Sequence, residues 1–299
     1  MNRRHWFLLT RFFLIIGLAF IWWGDAAFGA DLPEIKEKGV LRHLGVPYAN
    51  FVTGSGDGLD VELVKLFAAH LGVRYDYVKT SWENVIGDLS GKVVVPKGDA
   101  IEVKGDVPVK GDIIANGLTV LPWREKIVNY SNPTFPNQVW LIAKADSPLK
   151  PIKSTGSLEQ DIAAVKRMLK GHQVLCKART CLDPSLYGLQ KLGAKVELFQ
   201  GGLNDMASAI IRGEAELTIL DAPDALIALE KWSGEIKVIG PISNIQMMGC
   251  AFAQTSPKLR EAFNQFLAQC TKNGTYVNLV KKYYPTAFNY FPEFFKDFR

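Results

Sequence analysis

The chain has 299 residues, and its 35 lysines and arginines against 30 aspartates and glutamates give a formal net charge of +5. This mild excess does not indicate a nucleic-acid partner, because no cluster of basic residues with interleaved aromatics accompanies it. The four histidines and four cysteines do not have the spacing of metal ligands, so neither a metal nor another cofactor is predicted. Without a leader, about 270 residues are enough for two compact domains.

The first 30 residues have the pattern of a secretory signal peptide. Three arginines precede an apolar run over residues 12–23, and small residues follow it up to Ala30. Such a run is short for a membrane-spanning helix, although an uncleaved membrane anchor stays an alternative. We therefore expect cleavage after Gly29 or Ala30, which would leave a free periplasmic protein.

Along most of the remaining chain, apolar strand patterns alternate with amphipathic helix patterns, which favours an α/β architecture with largely parallel sheets. Strands are predicted at residues 41–44, 75–78, 112–115, 138–143, 173–177, 195–199, 216–220 and 237–239. Helices are predicted at residues 59–71, 82–89, 158–169, 184–191, 204–212, 224–231, 257–272 and 276–283.

One segment interrupts this alternation. Between residues 92 and 112 the chain carries three copies of Lys-Gly-Asp among several valines. Gly-Asp turns between valine-rich runs predict a small β-hairpin over residues 92–110, on the surface of the first domain. The hairpin is either a tolerated surface insertion or a docking surface for a membrane partner.

The chain ends in a tail that is dense in aromatic residues: Phe288, Tyr290, Phe291, Phe294, Phe295 and Phe298. Such a density is unusual for an exposed terminus. We predict that the tail is a strap packed over the first domain, and a partner-binding patch is the alternative.

Cysteines are few, and a disulfide is permitted in an oxidising periplasm. Cys176 and Cys181 are close enough in sequence to join a strand to the following loop, so they are the predicted pair. Cys250 and Cys270 are interpreted as buried small hydrophobic residues. Four free thiols are the alternative.

Three segments resemble the bacterial extracellular solute-binding proteins of family 3, which deliver amino acids to ABC importers. The sequence Gly-Leu-Asp-Val-Glu-Leu from Gly58 is similar to the opening helix of that family. Residues 117–135 contain a threonine and an arginine at the spacing of the family's ligand-binding run, and residues 275–285 are similar to its terminal helix. The three segments occur in the family's order.

This resemblance implies a two-lobed periplasmic-binding-protein fold of type II, with a mainly parallel sheet and flanking helices in each lobe. The chain would build one lobe, cross to the other and return, so two hinge crossings are expected near residues 136–140 and 246–249. The first lobe would comprise residues 31–137 and 250–299, and the second residues 138–249. Hinge rotation would then close the interlobe cleft around a ligand.

The resemblance also implies which groups hold an α-amino acid. Arg124 matches the arginine that binds the α-carboxylate, which a guanidinium can grip through two parallel donors. Asp221 matches the aspartate that binds the α-ammonium, and Gly117 and Thr119 should add backbone and hydroxyl contacts. The alternatives are an exposed arginine paired with Glu125 and an aspartate that only caps a helix.

Aromatic residues and one turn complete the expected site. Tyr48 and Tyr77 match aromatic positions of the family, and Trp82 begins a helix that could face the cleft; core packing is the alternative for all three. The family's Gly-Thr turn, whose amides bind the carboxylate, appears here as Arg179-Thr180. An added cation without an added acid disfavours lysine or arginine as ligand and is compatible with an acidic or polar one.

The resemblance therefore implies a monomeric receptor, not an enzyme, that captures a small polar solute, above all an α-amino acid, for the membrane permease of an ABC importer. A periplasmic enzyme of the dehydratase type on the same fold is one alternative, because a fold does not fix a function. An accessory or sensor protein is another, and the insertion and the aromatic tail are its support.

Overall fold

The computed structural model describes residues 29–296. The predicted signal peptide lies almost wholly outside the described residues, and so does Phe298 of the tail. Within residues 29–296, no helix combines the length and the apolar character that crossing a membrane requires.

Strands and helices alternate through the described chain. The strands are β1 (Val40–Gly45), β2 (Arg74–Lys79), β3 (Lys92–Lys97), β4 (Ala100–Asp106), β5 (Ile113–Ile114), β6 (Val128–Tyr130), β7 (Phe135–Asn137), β8 (Val139–Lys144), β9 (Gln173–Cys176), β10 (Lys195–Leu198), β11 (Leu217–Asp221), β12 (Ile236–Pro241), β13 (Gln246–Met248) and β14 (Ala251–Ala253). The helices are α1 (Leu32–Lys38), α2 (Leu59–Leu71), α3 (Val85–Ser90), α4 (Pro122–Glu125), α5 (Leu158–Arg167), α6 (Pro184–Tyr187), α7 (Met206–Ile211), α8 (Ala222–Lys231), α9 (Pro257–Lys272), α10 (Thr275–Tyr283), α11 (Ala287–Tyr290) and α12 (Pro292–Phe295). Short 3-10 helices cover Gln190–Leu192 and Leu203–Asp205.

Two five-stranded sheets organise the chain into two lobes. The sheet of the first lobe has the order β2-β1-β5-β14-β6, and that of the second lobe has the order β10-β9-β11-β8-β12. In each sheet four strands share one direction, while β14 or β8 runs against them. Each opposed strand is the one that the chain forms directly after it crosses between the lobes. The predicted two-lobed, mainly parallel α/β fold is confirmed.

The two crossings between the lobes are short strands that pair with each other. β7 and β13 are antiparallel, with Asn137 opposite Gln246 and Phe135 opposite Met248. Because this ladder holds the crossings side by side, it forms a natural axis for rotation of one lobe against the other. The predicted lobe boundaries at 137/138 and 249/250 stay predictions, and they fall at or next to the ends of these strands.

The longest helices begin and end where the sequence chemistry requires it. Helix α2 carries Asp60 and Glu62 in its first turn, where acids favour the helix dipole, and ends at Gly72 with a left-handed φ of 73°. Helix α9 begins with Pro257 and buries one face that includes Phe263. Both helices have the predicted bounds, because the helical period of their apolar residues ends at the same positions as the residues that start and stop a helix.

The predicted hairpin over residues 92–110 is confirmed as the antiparallel pair β3–β4, which turns at Gly98 and Asp99. Gly98 has a φ of 61°, in the left-handed region that tight hairpin turns require. The hairpin packs against α3 and α4 of the first lobe. Its lysines Lys97 and Lys104 both bond to Glu102 on β4.

The aromatic tail packs against the hinge, whereas its predicted packing over the first lobe stays a prediction. Phe295 is buried, and its ring centroid lies 5.6 Å from that of Phe135 in β7. Tyr290 is 51% exposed, yet its ring lies 5.3 Å from Trp140 in β8. The strap therefore contacts a crossing strand and the first strand of the second lobe.

Removal of one buried ring should test this packing. Phe295→Ala should lower the free energy of unfolding by about 3–5 kcal/mol, because apolar burial is lost and a cavity remains. Urea unfolding followed by circular dichroism measures the change. Asn289→Ala, at an exposed position of the same tail, is the control and should change stability by less than about 0.5 kcal/mol. Equal, small effects of both substitutions would contradict a packed strap.

Candidate functional site

Arg124 lies in α4 of the first lobe and is 2% exposed. Its Nη1 donates to the carbonyl of Thr119 at 2.8 Å, and its guanidinium carbon lies 5.3 Å from the ring centroid of Trp123. Its Nε is buried and has no hydrogen-bond partner among the described residues. The arginine is thus not an exposed side chain paired with Glu125, and one of its donors stays available.

Asp221 ends β11 and stands at the N-cap of α8, but its side chain does not cap that helix. The buried carboxylate accepts instead from three side chains. Tyr48 Oη at 2.8 Å and Cys181 Sγ at 2.7 Å donate to Oδ2, and Asn137 Nδ2 donates to Oδ1 at 2.6 Å. Burial raises the pKa of Asp221, and these hydrogen bonds together with nearby Arg124 oppose that rise.

These groups meet where the two lobes face each other. Thr119, in the first lobe, connects them: its carbonyl accepts from Arg124, and its Oγ1 accepts from Asn137 Nδ2 at 3.3 Å. Besides the bond from Tyr48 to Asp221, the amide of Ala49 in the first lobe donates to Asn204 Oδ1 in the second at 2.8 Å. We call the central group the clamp; it consists of Tyr48, Thr119, Arg124, Asn137, Cys181 and Asp221.

Gly117 shapes the backbone that leads to Thr119. Its φ is 65°, and an added Cβ would lie 2.4 Å from the ring of Phe51, so a side chain does not fit. Its amide donates to Asp60 Oδ2 at 2.7 Å. The preceding Asn116 is fully buried, and neither polar atom of its side chain has a partner among the described residues.

The predicted aromatic residues separate into two groups. The ring of Trp82 stands perpendicular to that of Tyr48, with centroids 5.5 Å apart, so both lie at the clamp. Tyr77 is 37% exposed, donates to the carbonyl of Gly45 at 3.1 Å and packs edge-on against His43. The structure therefore places Tyr77 against β1 rather than at the clamp.

The Arg179-Thr180 turn lies beside the clamp. The hydroxyl of Thr180 donates to the carbonyl of Lys177 at 2.9 Å and accepts from the amide of Leu182 at 3.0 Å, which holds the turn itself. Arg179 is exposed and has a φ of 63°, and its amide donates to Asp183 Oδ2 at 2.9 Å. In the described contacts, neither residue bonds to Arg124 or Asp221.

The predicted disulfide between Cys176 and Cys181 is wrong, because all four cysteines are free and buried. Cys181 directs its sulfur to Asp221, whereas Cys176 Sγ lies 3.7 Å from the carbonyl of Val174 on its own strand. Burial raises the pKa of both thiols, for Cys176 to about 12. Both thiols therefore stay protonated at neutral pH.

Asn137 and Cys181 are the clamp residues that sequence analysis missed as ligand-site residues. Asn137 also accepts from the amide of Ala222 at 3.3 Å, so it ties the hinge strand to the start of α8. An isolated asparagine in an extended segment gives no recognisable pattern. For Cys181 a signal existed, because it directly follows the Arg179-Thr180 turn that resembles a ligand-binding turn.

Counting the free thiols tests whether Cys176 and Cys181 are unpaired. Protein purified and unfolded without reductant should release four reactive thiols per chain, because none of the four cysteines is paired. The folded protein should react more slowly, since every thiol is buried. A sample reduced before unfolding is the control and gives the full count; two thiols in the unreduced sample would restore the predicted disulfide.

Asp60, which holds the amide of Gly117, is a buried carboxyl group. Burial raises its pKa from 3.8 to about 7, and the hydrogen bond from Gly117 opposes the shift. Between these two pKa values the folded chain binds the proton more tightly than the unfolded chain. The buried Asp60 therefore contributes its full share to the free energy of unfolding below pH 3.8. This stabilisation is lost as the pH rises to about 7.

Asp60→Asn should remove this pH dependence, because asparagine keeps an acceptor for Gly117 and carries no charge. At pH 8 the substitution should raise the free energy of unfolding by roughly 1–4 kcal/mol, and at pH 4 it should have little effect. Urea unfolding at both pH values measures the difference. Asp99→Asn in the exposed hairpin turn is the control, and an equal effect of Asp60→Asn at both pH values would contradict the buried ionisation.

Comparisons with known proteins agree with this architecture. The model of the bacterial extracellular solute-binding proteins, family 3, matches residues 109–286. The L-cystine-binding protein TcyJ of Escherichia coli is 23% identical, over 85% of this chain and 85% of that protein. Membrane-bound lytic murein transglycosylase F of Desulfosudis oleivorans is 24% identical over 76% of this chain. The matched region covers only 44% of the length of that protein, so this chain spans less than half of it.

A solved structure shows the same fold. A mutant of ArgBP from T. maritima superposes with a TM-score of 0.67 and 24% identity, over 85% of this chain and 99% of that one. The family model covers more than half of the chain. This protein therefore belongs to the bacterial extracellular solute-binding proteins of family 3.

Proposed function

We propose that this protein is a periplasmic receptor that captures an α-amino acid between its lobes and delivers it, as a monomer, to the permease of an ABC importer. The clamp supports this proposal, because it places a buried cation, Arg124 of the first lobe, near a buried carboxylate, Asp221 of the second lobe. An α-amino acid carries the complementary charges on one carbon. A ligand that binds both groups favours the closed arrangement by the free energy of that double contact.

The observation that carries the proposal is the buried Nε of Arg124, which has no partner among the described residues. An unsatisfied buried donor costs about 1–3 kcal/mol. A ligand carboxylate removes that cost and offers two oxygens to the planar guanidinium, which is the geometry that arginine binds best.

The ammonium of the ligand has to compete with donors of the chain, since Asp221 already accepts from three side chains. Of these donors, the thiol of Cys181 forms the weakest hydrogen bond. An ammonium makes a stronger, charge-assisted bond to a carboxylate. We infer that it takes the place of the Cys181 thiol at Oδ2, while Tyr48 and Asn137 keep the carboxylate oriented.

A dehydratase-like enzyme on the same fold is the second candidate, and one observation favours it. Asp224, one turn beyond Asp221, is buried, and its pKa is raised to about 8 by burial and then by the charges of Asp221 and Asp205. A carboxyl group that is protonated near neutral pH suits general-acid catalysis. Ligand recovered unchanged after long incubation supports the receptor, and a product lighter by one water supports the enzyme.

Neutralising the acid of the clamp should test the receptor. Once a thermal-shift screen has found the amino acid that binds, Asp221→Asn should weaken its affinity about 10- to 100-fold, because a charged hydrogen bond is lost. Isothermal titration calorimetry measures the change. The same compound without its amino group should bind wild type and Asp221→Asn equally, whereas Arg124→Gln should weaken both compounds. Unchanged amino-acid affinity in both variants would refute the clamp.

A further inference from the structure

A cavity of about 330 Å³ lies beside the clamp, between α3, the β3–β4 hairpin and the Arg179 turn of the second lobe. A smaller cavity of about 100 Å³ adjoins the same hairpin and shares Trp123 and Arg179 with it. We call the larger space the hairpin cavity. Its walls include Trp82, Val94, Pro96, Lys110, Trp123 and Arg179.

Two tryptophans line the hairpin cavity and also contact residues of the clamp. Trp82 lines the cavity and stands against Tyr48, whose hydroxyl donates to Asp221. Trp123 lines the cavity and lies against the guanidinium of Arg124. The hairpin cavity is therefore a neighbour of the clamp, and the two tryptophans are the residues that contact both.

Most charges on the cavity wall are already paired. Asp88 pairs with Lys110 at 2.9 Å, and Lys92 pairs with Asp106 at 2.5 Å. Glu83 lies 4.0 Å from Lys177, and a hydrogen bond from its own backbone, with smaller contributions from Lys177 and Arg179, lowers the pKa of Glu83. Within residues 29–296, the guanidinium of Arg179 has no carboxylate at ion-pair distance.

A residue of the cavity wall, Trp82, also has a donor that lacks an acceptor. The indole Nε1 of Trp82 is buried and has no hydrogen-bond partner among the described residues. A buried donor without a partner is unfavourable, and a ligand group that accepts hydrogen bonds would satisfy it. The cavity wall thus carries the cation of Arg179, and Trp82 on the same wall holds an N–H donor without a partner among the described residues.

The backbone conformation of Arg179 also indicates a functional role for this residue. Its φ of 63° is a left-handed conformation that glycine adopts freely and that other residues adopt at a cost. Such conformations in non-glycine residues concentrate at functional sites. An arginine in this conformation, on a turn that faces the cavity, indicates that the side chain has a use there.

We propose that the hairpin cavity is the side-chain subsite of the cleft and selects amino acids whose side chain ends in an acidic group. This inference rests on the proposed amino-acid function. The terminal anion is bound by the guanidinium of Arg179 and the indole N–H of Trp82, while the apolar walls contact the methylene groups. A side chain that ends in an ammonium or guanidinium is repelled by Arg179 and leaves the indole donor unpaired.

Three amino acids with the same six-carbon skeleton test the proposal: L-2-aminoadipate, L-norleucine and L-lysine, which end in a carboxylate, a methyl group and an ammonium. Calorimetry on the purified protein should give the order aminoadipate, norleucine, lysine, with aminoadipate at least about tenfold tighter than lysine. Arg179→Gln should weaken aminoadipate about tenfold and change norleucine less than about twofold.

Two further variants distinguish the effect of the Arg179 charge from that of its backbone conformation and from that of surface charge in general. Arg179→Gly relieves the left-handed conformation, so it should fold at least as well and lose the same preference for aminoadipate. Arg167→Gln, an exposed arginine on α5 of the same lobe, is the control and should alter no affinity. Circular dichroism confirms that each variant is folded.

The outcomes distinguish this inference from the proposed function. Lysine bound as tightly as aminoadipate, or an aminoadipate affinity that survives both Arg179 substitutions, overturns the subsite and leaves the clamp standing. If neither these three nor any other amino acid binds, both the clamp and the subsite are refuted. The expected order, together with its loss in Arg179→Gln and Arg179→Gly, supports both.

Discussion

The architecture depends on two opposite charges, Arg124 and Asp221, that are buried at one place but belong to different lobes. A buried charge is costly unless it is paired and hydrogen-bonded. In this structure both charges are buried, Arg124 at 2% and Asp221 at 0% exposure. Three donors satisfy the acid, whereas the arginine retains an unused Nε. The hydrogen bonding of the arginine is therefore incomplete, and in the proposed function the carboxylate of the ligand would complete it.

The topology supplies the place where these charges can meet. Each lobe reverses one strand of its sheet directly after the chain crosses, and the crossings β7 and β13 pair as a small ladder. Asn137 lies on that ladder and bonds to both Thr119 and Asp221, so the hinge itself contacts the site. Rotation about the ladder therefore changes the clamp at once, without a chain of intermediate contacts.

Sequence patterns predicted the elements with a clear period and clear ends, such as α2 and α9, and the hairpin with its Gly-Asp turn. They did not predict β7, β13 or α4, because three or four residues carry no measurable period. The resemblance to the family placed Arg124 and Asp221, which the structure brings together. It did not identify Asn137, whose contacts depend on which way its side chain points, and it located Cys181 only as the residue after a turn of the ligand-binding type. Spacing in sequence suggested a disulfide where the fold instead directs the thiol toward a carboxylate.

The position of Cys181 has a kinetic consequence. Its sulfur is enclosed between the lobes, with Asp221 on one side and Thr119 on the other, and its pKa is raised by burial. A thiol reagent can reach it only in molecules whose lobes have separated. When opening and reclosing are fast, the rate of modification is proportional to the small open fraction, as in hydrogen exchange. Modification of Cys181, followed separately from that of the other three buried thiols, would thus report the equilibrium between open and closed lobes, and any compound that shifts this equilibrium toward closure would protect Cys181.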